Sequence, residues 1–242
     1  MSYPYMPFDD DRIRQLRVKL QKPYVAESLE AWLIHRRISI YATLMLNHIG
    51  WITPNIITAS AILIASIGIV IIWLINPGKS IVVGLGLYQL AYLLDVIDGE
   101  LARIRNQASA RGLWLDKILE GTMNGLALAV GIKAAELSQP LWASGFLLTL
   151  FIVRMVSRNG FVLTSRQLRN KFPTTELRVR NPFINVISFF SSSSGWLLLL
   201  VVGYLLDRLS LFWLLGVGLF ASSTLYQLHL FWNSLLENED IE

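Results

Sequence analysis

Four carboxylates stand where carboxylates are costly. Asp95 and Asp98 close an apolar run that begins at Ser80, and Asp116 and Glu120 open a second run that continues to Lys133. An ionisable side chain at the centre of a membrane span costs about 2.5 to 3.5 kcal/mol on insertion scales, so its presence asks for a chemical reason. Spacings of three and four residues put each pair on one helix face. If the two runs are consecutive antiparallel helices joined by residues 104–111, the pairs face each other at similar depth as a four-carboxylate box.

Such a box repels itself unless it is protonated, paired with Arg103, Arg105 and Arg111, or neutralised by metal. Two divalent ions match four negative charges, and a ligand set made only of hard oxygens suits Mg²⁺ or Mn²⁺ rather than Zn²⁺. A two-metal site is a clamp for attack at phosphorus, because it holds both the entering and the leaving oxygen. Phosphoryl transfer is therefore the leading class of chemistry. Gly99 and Ala102 lie on or beside the Asp98 face and Gly112 is four residues before Asp116, which leaves room for a phosphate or nucleotide near the backbone. Taken singly, each glycine reads as close helix packing. There is no cysteine, and His35, His48 and His229 show no ligand-like spacing.

The elements that must position these acids are membrane helices. Of 242 residues, 54% are hydrophobic and only 16% charged, with mean hydropathy +0.50, which excludes a disordered or fibrous chain. A crossing helix needs about 20 apolar residues. Ile56 to Leu74, Pro182 to Leu206 and Leu209 to Leu236 meet this without a formal charge; Ser80 to Arg103, Gly112 to Lys133 and Pro140 to Ser165 meet it with charges at one end. The predicted fold is all-α: a polytopic membrane protein with six transmembrane helices and an N-terminal interfacial amphipathic helix within Glu27 to Gly50. Its expected parts are a cytoplasmic N-terminal segment with that helix (1–50), a transmembrane catalytic domain (51–236) and an acidic tail (237–242). A cleaved signal peptide is not expected.

Lys and Arg concentrate on one side of these spans: Arg12, Arg14, Arg17, Lys19, Lys22, Arg36 and Arg37, then Arg103, Arg105 and Arg111, then Arg166, Arg169, Lys171, Arg178 and Arg180. The positive-inside rule makes that side cytoplasmic, with both termini and the acid box. A net charge of +4 is too small for a nucleic-acid partner and adequate for anionic membrane lipids.

Asp95, Asp98, Gly99, Ala102, Arg103, Gly112, Asp116 and Glu120 spell D-x2-D-G-x2-A-R-x8-G-x3-D-x3-E, which resembles the signature of the CDP-alcohol phosphotransferase family. Only the last letter departs from it, Glu120 standing where the family has Asp. Six spans with an N-terminal surface helix also look like that family over nearly the whole chain, and Thr53-Pro54-Asn55 before the first span is similar too. The resemblance implies a CDP-linked lipid or headgroup donor and CMP as the leaving group. It implies two Mg²⁺ or Mn²⁺ ions on Asp95, Asp98, Asp116 and Glu120, and cytidine and diphosphate held near Gly99, Ala102 and Arg103, with Gly112 and Asn55 alongside. It gives Glu120 and Asp116 the catalytic roles, Glu120 taking the acceptor's proton. Glu keeps the charge of Asp but carries it one methylene further from the backbone, and a shift near 1 Å in a positioned group can cost rate.

Arg154 and Arg158 share a face of the fourth span, and with Arg178 and Arg180 they suit a phosphorylated acceptor alcohol. Short length and these arginines favour a CDP-diacylglycerol donor with a small polar acceptor, in phospholipid synthesis; the alternative is CDP-ethanolamine- or CDP-choline-type headgroup transfer to a lipid alcohol. Gly121-x3-Gly125 permits close helix approach, in the bundle or across a homodimer, and the resemblance favours the homodimer. Rival classes are a membrane transporter, which predicts charges near mid-span, and a catalytically degenerate scaffold, which Glu120 alone supports.

Overall fold

The computed structural model describes residues 3–24, 28–140, 142–168, 189–190 and 192–239, and the described residues form helices with no strand. Several helix boundaries follow from cap residues. Asp10 caps α1 (Asp11–Leu20) by accepting from the Ile13 amide at 2.7 Å. A π-helical turn, Ala31–His35, runs into α2 (Arg36–Asn47). Thr53 caps α3 (Pro54–Leu74) and Asn76 caps α4 (Pro77–Ile104), each followed by a proline at the first helical position, where a missing N–H costs nothing. Beyond these lie α5 (Ala110–Ser138), α6 (Trp142–Leu168), α7 (Ser193–Leu205) and α8 (Leu209–Glu239). Asn106 ends α4 in the left-handed region at φ 53°, which lets the Gln107 amide close on the Ala102 carbonyl at 2.9 Å. Asp207 does the same after α7, with Arg208 bonded to Gly203.

The chain divides into two compact units, Met1–Ala129 and Val130–Glu242. In the first, α3 packs along α4 through a buried stripe of Ile57, Thr58, Ala61, Ala65, Gly68 and Ile72, while Leu63, Ile67, Val70 and Trp73 face outward. Small residues inside and large aliphatic ones outside is the pattern of helices packed in lipid, where close backbone approach replaces the hydrophobic effect as the driving force. A Cβ on Gly68 would meet Leu87 and Leu126 at 3.2 Å, and one on Gly125 would meet Ile69 at 3.4 Å; Gly121 has nothing within 4 Å.

The N-terminal helices in this unit are polar underneath. α2 turns Arg36, Ser39 and Thr43 toward α4, where they meet Glu100. Leu33 and Ile34 of the π-helical turn and Ile38 and Met45 of α2 are exposed on the outer face. Arg17 and Asp9 form a wholly buried ion pair at 2.7 Å, and the same guanidinium donates to the carbonyls of Arg36 and Arg37. Arg17 and Arg36, which the charge pattern counts only as topology signals, thus also hold the N-terminal helices together.

The second unit is built around Trp196, which is fully buried. Its ring lies against Gly131 and Gly216, where a Cβ would overlap it, and is flanked by Phe151 and Phe220. Trp213 donates to the Gly131 carbonyl at 3.1 Å.

Among the described residues, three helices are long and apolar enough to cross a bilayer: Pro54–Leu74, Pro77–Ile104 and Leu209–Tyr226. The third expected span lies in α5 and the fourth in α6. Of the fifth, residues 182–188 and 191 lie outside the described residues, and α7 supplies most of the remainder.

Candidate active site

α4 carries Asp95 and Asp98 in its last turns, and α5 carries Asp116 in its second. The structure brings these three together, one oxygen of each lying within 4.8 Å of the others. Asp98 is buried, Asp95 half-buried and Asp116 exposed, so the cluster opens outward from a buried floor. Three carboxylates this close hold three negative charges that only a cation or protons can relieve. The oxygen-only donor set fits a hard divalent ion. Among the described residues this is the group of acids with that geometry.

Asp98 is oriented from the neighbouring helix. Thr58 of α3, itself buried, donates its hydroxyl to Asp98 Oδ2 at 2.5 Å, and its Oγ1 also lies 3.1 Å from the Pro54 carbonyl oxygen. Motif and spacing do not single out Thr58; a hydroxyl on the small-residue stripe of an apolar helix is the one signal it gives. Glu120 lies one turn beyond Asp116 on α5 and outside the group of three. Lys117 holds its carboxylate at 2.9 Å, in a pair whose side chains are 60% and 30% exposed. The expected box of four is thus a cluster of three with the fourth acid on the adjoining turn.

The small residues have specific neighbours. A Cβ on Gly99 would lie 3.5 Å from Arg103 Nη1, so the guanidinium runs along the glycine. Arg103 Nε donates to the Leu20 carbonyl at 2.5 Å, tying this signature residue to the end of α1. A Cβ on Gly112 would meet Asn55 Oδ1 at 3.4 Å and Ser109 Oγ at 3.5 Å, so Gly112 lets the starts of α3 and α5 come together. Ala102 is half-buried and its carbonyl closes the α4 cap.

Arg105, which its charge alone marks as a partner for the acids, instead donates to the carbonyls of Leu46, Asn47, Ile49 and Ile52 and so caps the end of α2. Arg154 belongs to the second unit, its guanidinium 4.3 Å from the Phe220 ring centroid and bonded to Ser223 Oγ at 3.1 Å. The Arg158 side chain, Arg178 and Arg180 lie outside the described residues.

Two further groups near the cluster are not marked by any motif. Glu100, fully buried, accepts from Gln21 Nε2 at 2.9 Å, Arg36 Nη1 at 3.0 Å, Ser39 Oγ at 2.6 Å and Thr43 Oγ1 at 2.9 Å. Its signal in the sequence is a further acid in the same apolar run with no place on the Asp95 and Asp98 face. Lys22 is exposed and, with Lys117, acts electrostatically on Asp116.

Fold and cluster together define a helical protein with helices long and apolar enough to cross a membrane and an oxygen-lined site suited to a divalent cation. The CDP-alcohol phosphatidyltransferase family model matches residues 51–220, and the chain belongs to that family of enzymes. It is 31% identical over 151 residues to the "Bifunctional IPC transferase and DIPP synthase" of Thermococcus kodakarensis. That match covers 62% of this chain and 33% of the relative, so the chain spans about a third of the curated relative's length.

Proposed function

We propose that this protein transfers a phospho-alcohol group from a CDP-linked donor to an acceptor alcohol and releases CMP, in phospholipid synthesis. The observation that carries this reading is the convergence of Asp95, Asp98 and Asp116 within a chain of the CDP-alcohol phosphatidyltransferase family. The donor is CDP-diacylglycerol and the acceptor a small polar alcohol, phosphorylated where the arginines Arg154, Arg158, Arg178 and Arg180 receive it. The name of the Thermococcus relative, a transferase and synthase, is in keeping with group transfer.

Asp95, Asp98 and Asp116, with Glu120 beside them, are the residues to hold Mg²⁺ or Mn²⁺. Two such ions, when bound, would neutralise charge on the diphosphate and polarise its phosphorus. Arg103 adds a fixed cation for the diphosphate, and Gly99, Ala102, Gly112 and Asn55 line the approach to the nucleotide. Glu120 takes the proton of the acceptor hydroxyl. The acceptor oxygen then bonds to the phosphorus nearer the alcohol, while the bond from that phosphorus to the bridging oxygen breaks and its electron pair leaves with CMP.

The same reading has six crossing helices in residues 51–236, preceded by a cytoplasmic segment, 1–50, and followed by an acidic tail, 237–242. The cluster and both termini face the cytoplasm, and two copies form a homodimer. The outward Leu33, Ile34, Ile38 and Met45 support the N-terminal helix's lying on the membrane surface, since its underside is committed to Glu100.

The test is direct. Purified protein is incubated with Mg²⁺ or Mn²⁺, CDP-diacylglycerol or CDP-ethanolamine, and a panel of alcohols, and CMP is measured. CMP formed from CDP-diacylglycerol only with a small polar acceptor supports the assignment; no CMP from either donor with any alcohol refutes it.

A further inference from the structure

Residues 20 to 22 are pinned to the end of α4 by the signature helix itself. The Leu20 carbonyl accepts from Arg103 Nε at 2.5 Å. Gln21 donates to Glu100 Oε1 at 2.9 Å and to the Arg36 carbonyl at 2.6 Å, and accepts from Arg17. Glu100 and Arg103 stand two and five residues after Asp98, so both anchors grip the turns that carry the acidic cluster. Lys22 is the next residue. Its side chain is exposed, and its charge acts on Asp116. The chain has ordered a buried polar network around Gln21 and Glu100, and that network holds the backbone next to Lys22 against the last turns of α4, which carry the cluster.

We propose that Lys22 is a phosphate-binding residue of this site, supplied by the N-terminal segment that precedes the family-matched region of 51–220. A lysine ammonium is a compact cation with three donors, suited to phosphate oxygens that no carboxylate can satisfy. The other lysine acting on Asp116, Lys117, is paired with Glu120 at 2.9 Å. The phosphate comes either from the donor's diphosphate or from a phosphorylated acceptor. This assignment rests on the phospho-alcohol transfer proposed above.

The full chain in detergent is titrated by calorimetry with CDP and, separately, with sn-glycerol 3-phosphate, both in the presence of Mn²⁺. Wild type is compared with Lys22→Ala, Lys22→Arg and Lys19→Ala, the last a control at an exposed position of α1. Loss of a charge-assisted hydrogen bond weakens one ligand by about tenfold or more in Lys22→Ala, with Lys22→Arg recovering most of it and Lys19→Ala unchanged. The ligand that weakens identifies which phosphate Lys22 holds. Both ligands binding Lys22→Ala within twofold of wild type would overturn the assignment while leaving the transfer reaction intact. Wild type that binds CDP but never releases CMP overturns the reaction alone, and wild type that binds neither ligand overturns both.

Discussion

Thr58 on α3 and Asp98 on α4 are joined by a hydroxyl donated to a carboxylate oxygen at 2.5 Å, with both residues at most 5% exposed. The bond crosses between two apolar helices at the floor of the acidic cluster, and it fixes which way the most buried of the three acids points. Partners of this kind orient metal ligands, and their loss is felt in metal affinity.

Thr58→Val keeps the shape of the side chain and removes the donor. Mn²⁺ affinity, measured by calorimetry, is expected to fall by roughly 10- to 100-fold and CMP release with it, while Thr58→Ser retains most of both. Unchanged Mn²⁺ affinity in the valine variant would contradict the orienting role.

Chelation with EDTA is expected to stop CMP release and added Mg²⁺ or Mn²⁺ to restore it. Asp98→Asn and Asp116→Asn each remove one charge from the cluster proposed to hold the metal, so metal should restore them poorly. Glu120→Gln keeps size but cannot take a proton, and kcat is expected to fall by about 10²-fold or more. Rates are followed by CMP appearance under saturating donor.

Glu100→Ala leaves Arg36 buried without its carboxylate and removes the acceptor shared by Gln21, Ser39 and Thr43. Breaking a buried ion pair on one side typically costs about 3 to 5 kcal/mol. A loss of that size should appear as a lowered Tm in detergent, with Glu100→Gln intermediate because it keeps one accepting oxygen.

The Asp9 carboxyl gives the N-terminal helices an acid limit. Burial pushes it up, but hydrogen bonds from Arg17, the Met6 amide and Tyr41, together with the Arg17 charge, outweigh burial and hold it below its ordinary 3.8. A carboxyl more acidic folded than unfolded stabilises fully above the unfolded value and loses that contribution as pH falls through the folded one. The protection factors of α1 amides in hydrogen exchange, corrected for the intrinsic pH dependence of exchange, should therefore hold from pH 7 to about 5 and fall below about 4. Asp9→Asn, already without the charge, should exchange faster at neutral pH and change less across the acid range.

Gly216 meets the Trp196 ring directly, and any side chain there must displace it. Gly216→Val is expected to cost about 1 to 3 kcal/mol or more by overpacking, read as a lower Tm. Gly218, with nothing within 4 Å, should tolerate alanine.

Much of the site is legible in the sequence because charge in an apolar run is a strong signal. Asp95 can be paired with Asp98, and Asp116 with Glu120, from spacing alone, since a helix puts residues three or four apart on one face; that the two pairs approach each other is expected only from consecutive antiparallel runs. Helix starts at Thr53-Pro54 and Asn76-Pro77 are likewise written in local chemistry. Glu100 is not, because a period of 3.6 says which face it shares but not that four donors from residues 21 to 43 close over it. Arg105 departs from its expected place for a similar reason: as a charge it suits the acids, yet its guanidinium fork matches a set of carbonyls at the end of α2.

Sequence by itself determined the helical class, the apolar runs and the pairing of Asp95 with Asp98 and of Asp116 with Glu120 along their helices, because each depends on covalent spacing and on solvent preference over a few turns. Only the tertiary structure decided that Thr58 would orient Asp98, that Glu120 would stand a turn apart on Lys117, and that residues 20 to 22 would be fastened beside the cluster. The first and last of these turn on hydrogen bonds between residues up to 83 positions apart, whose geometry exists only once the helices have packed.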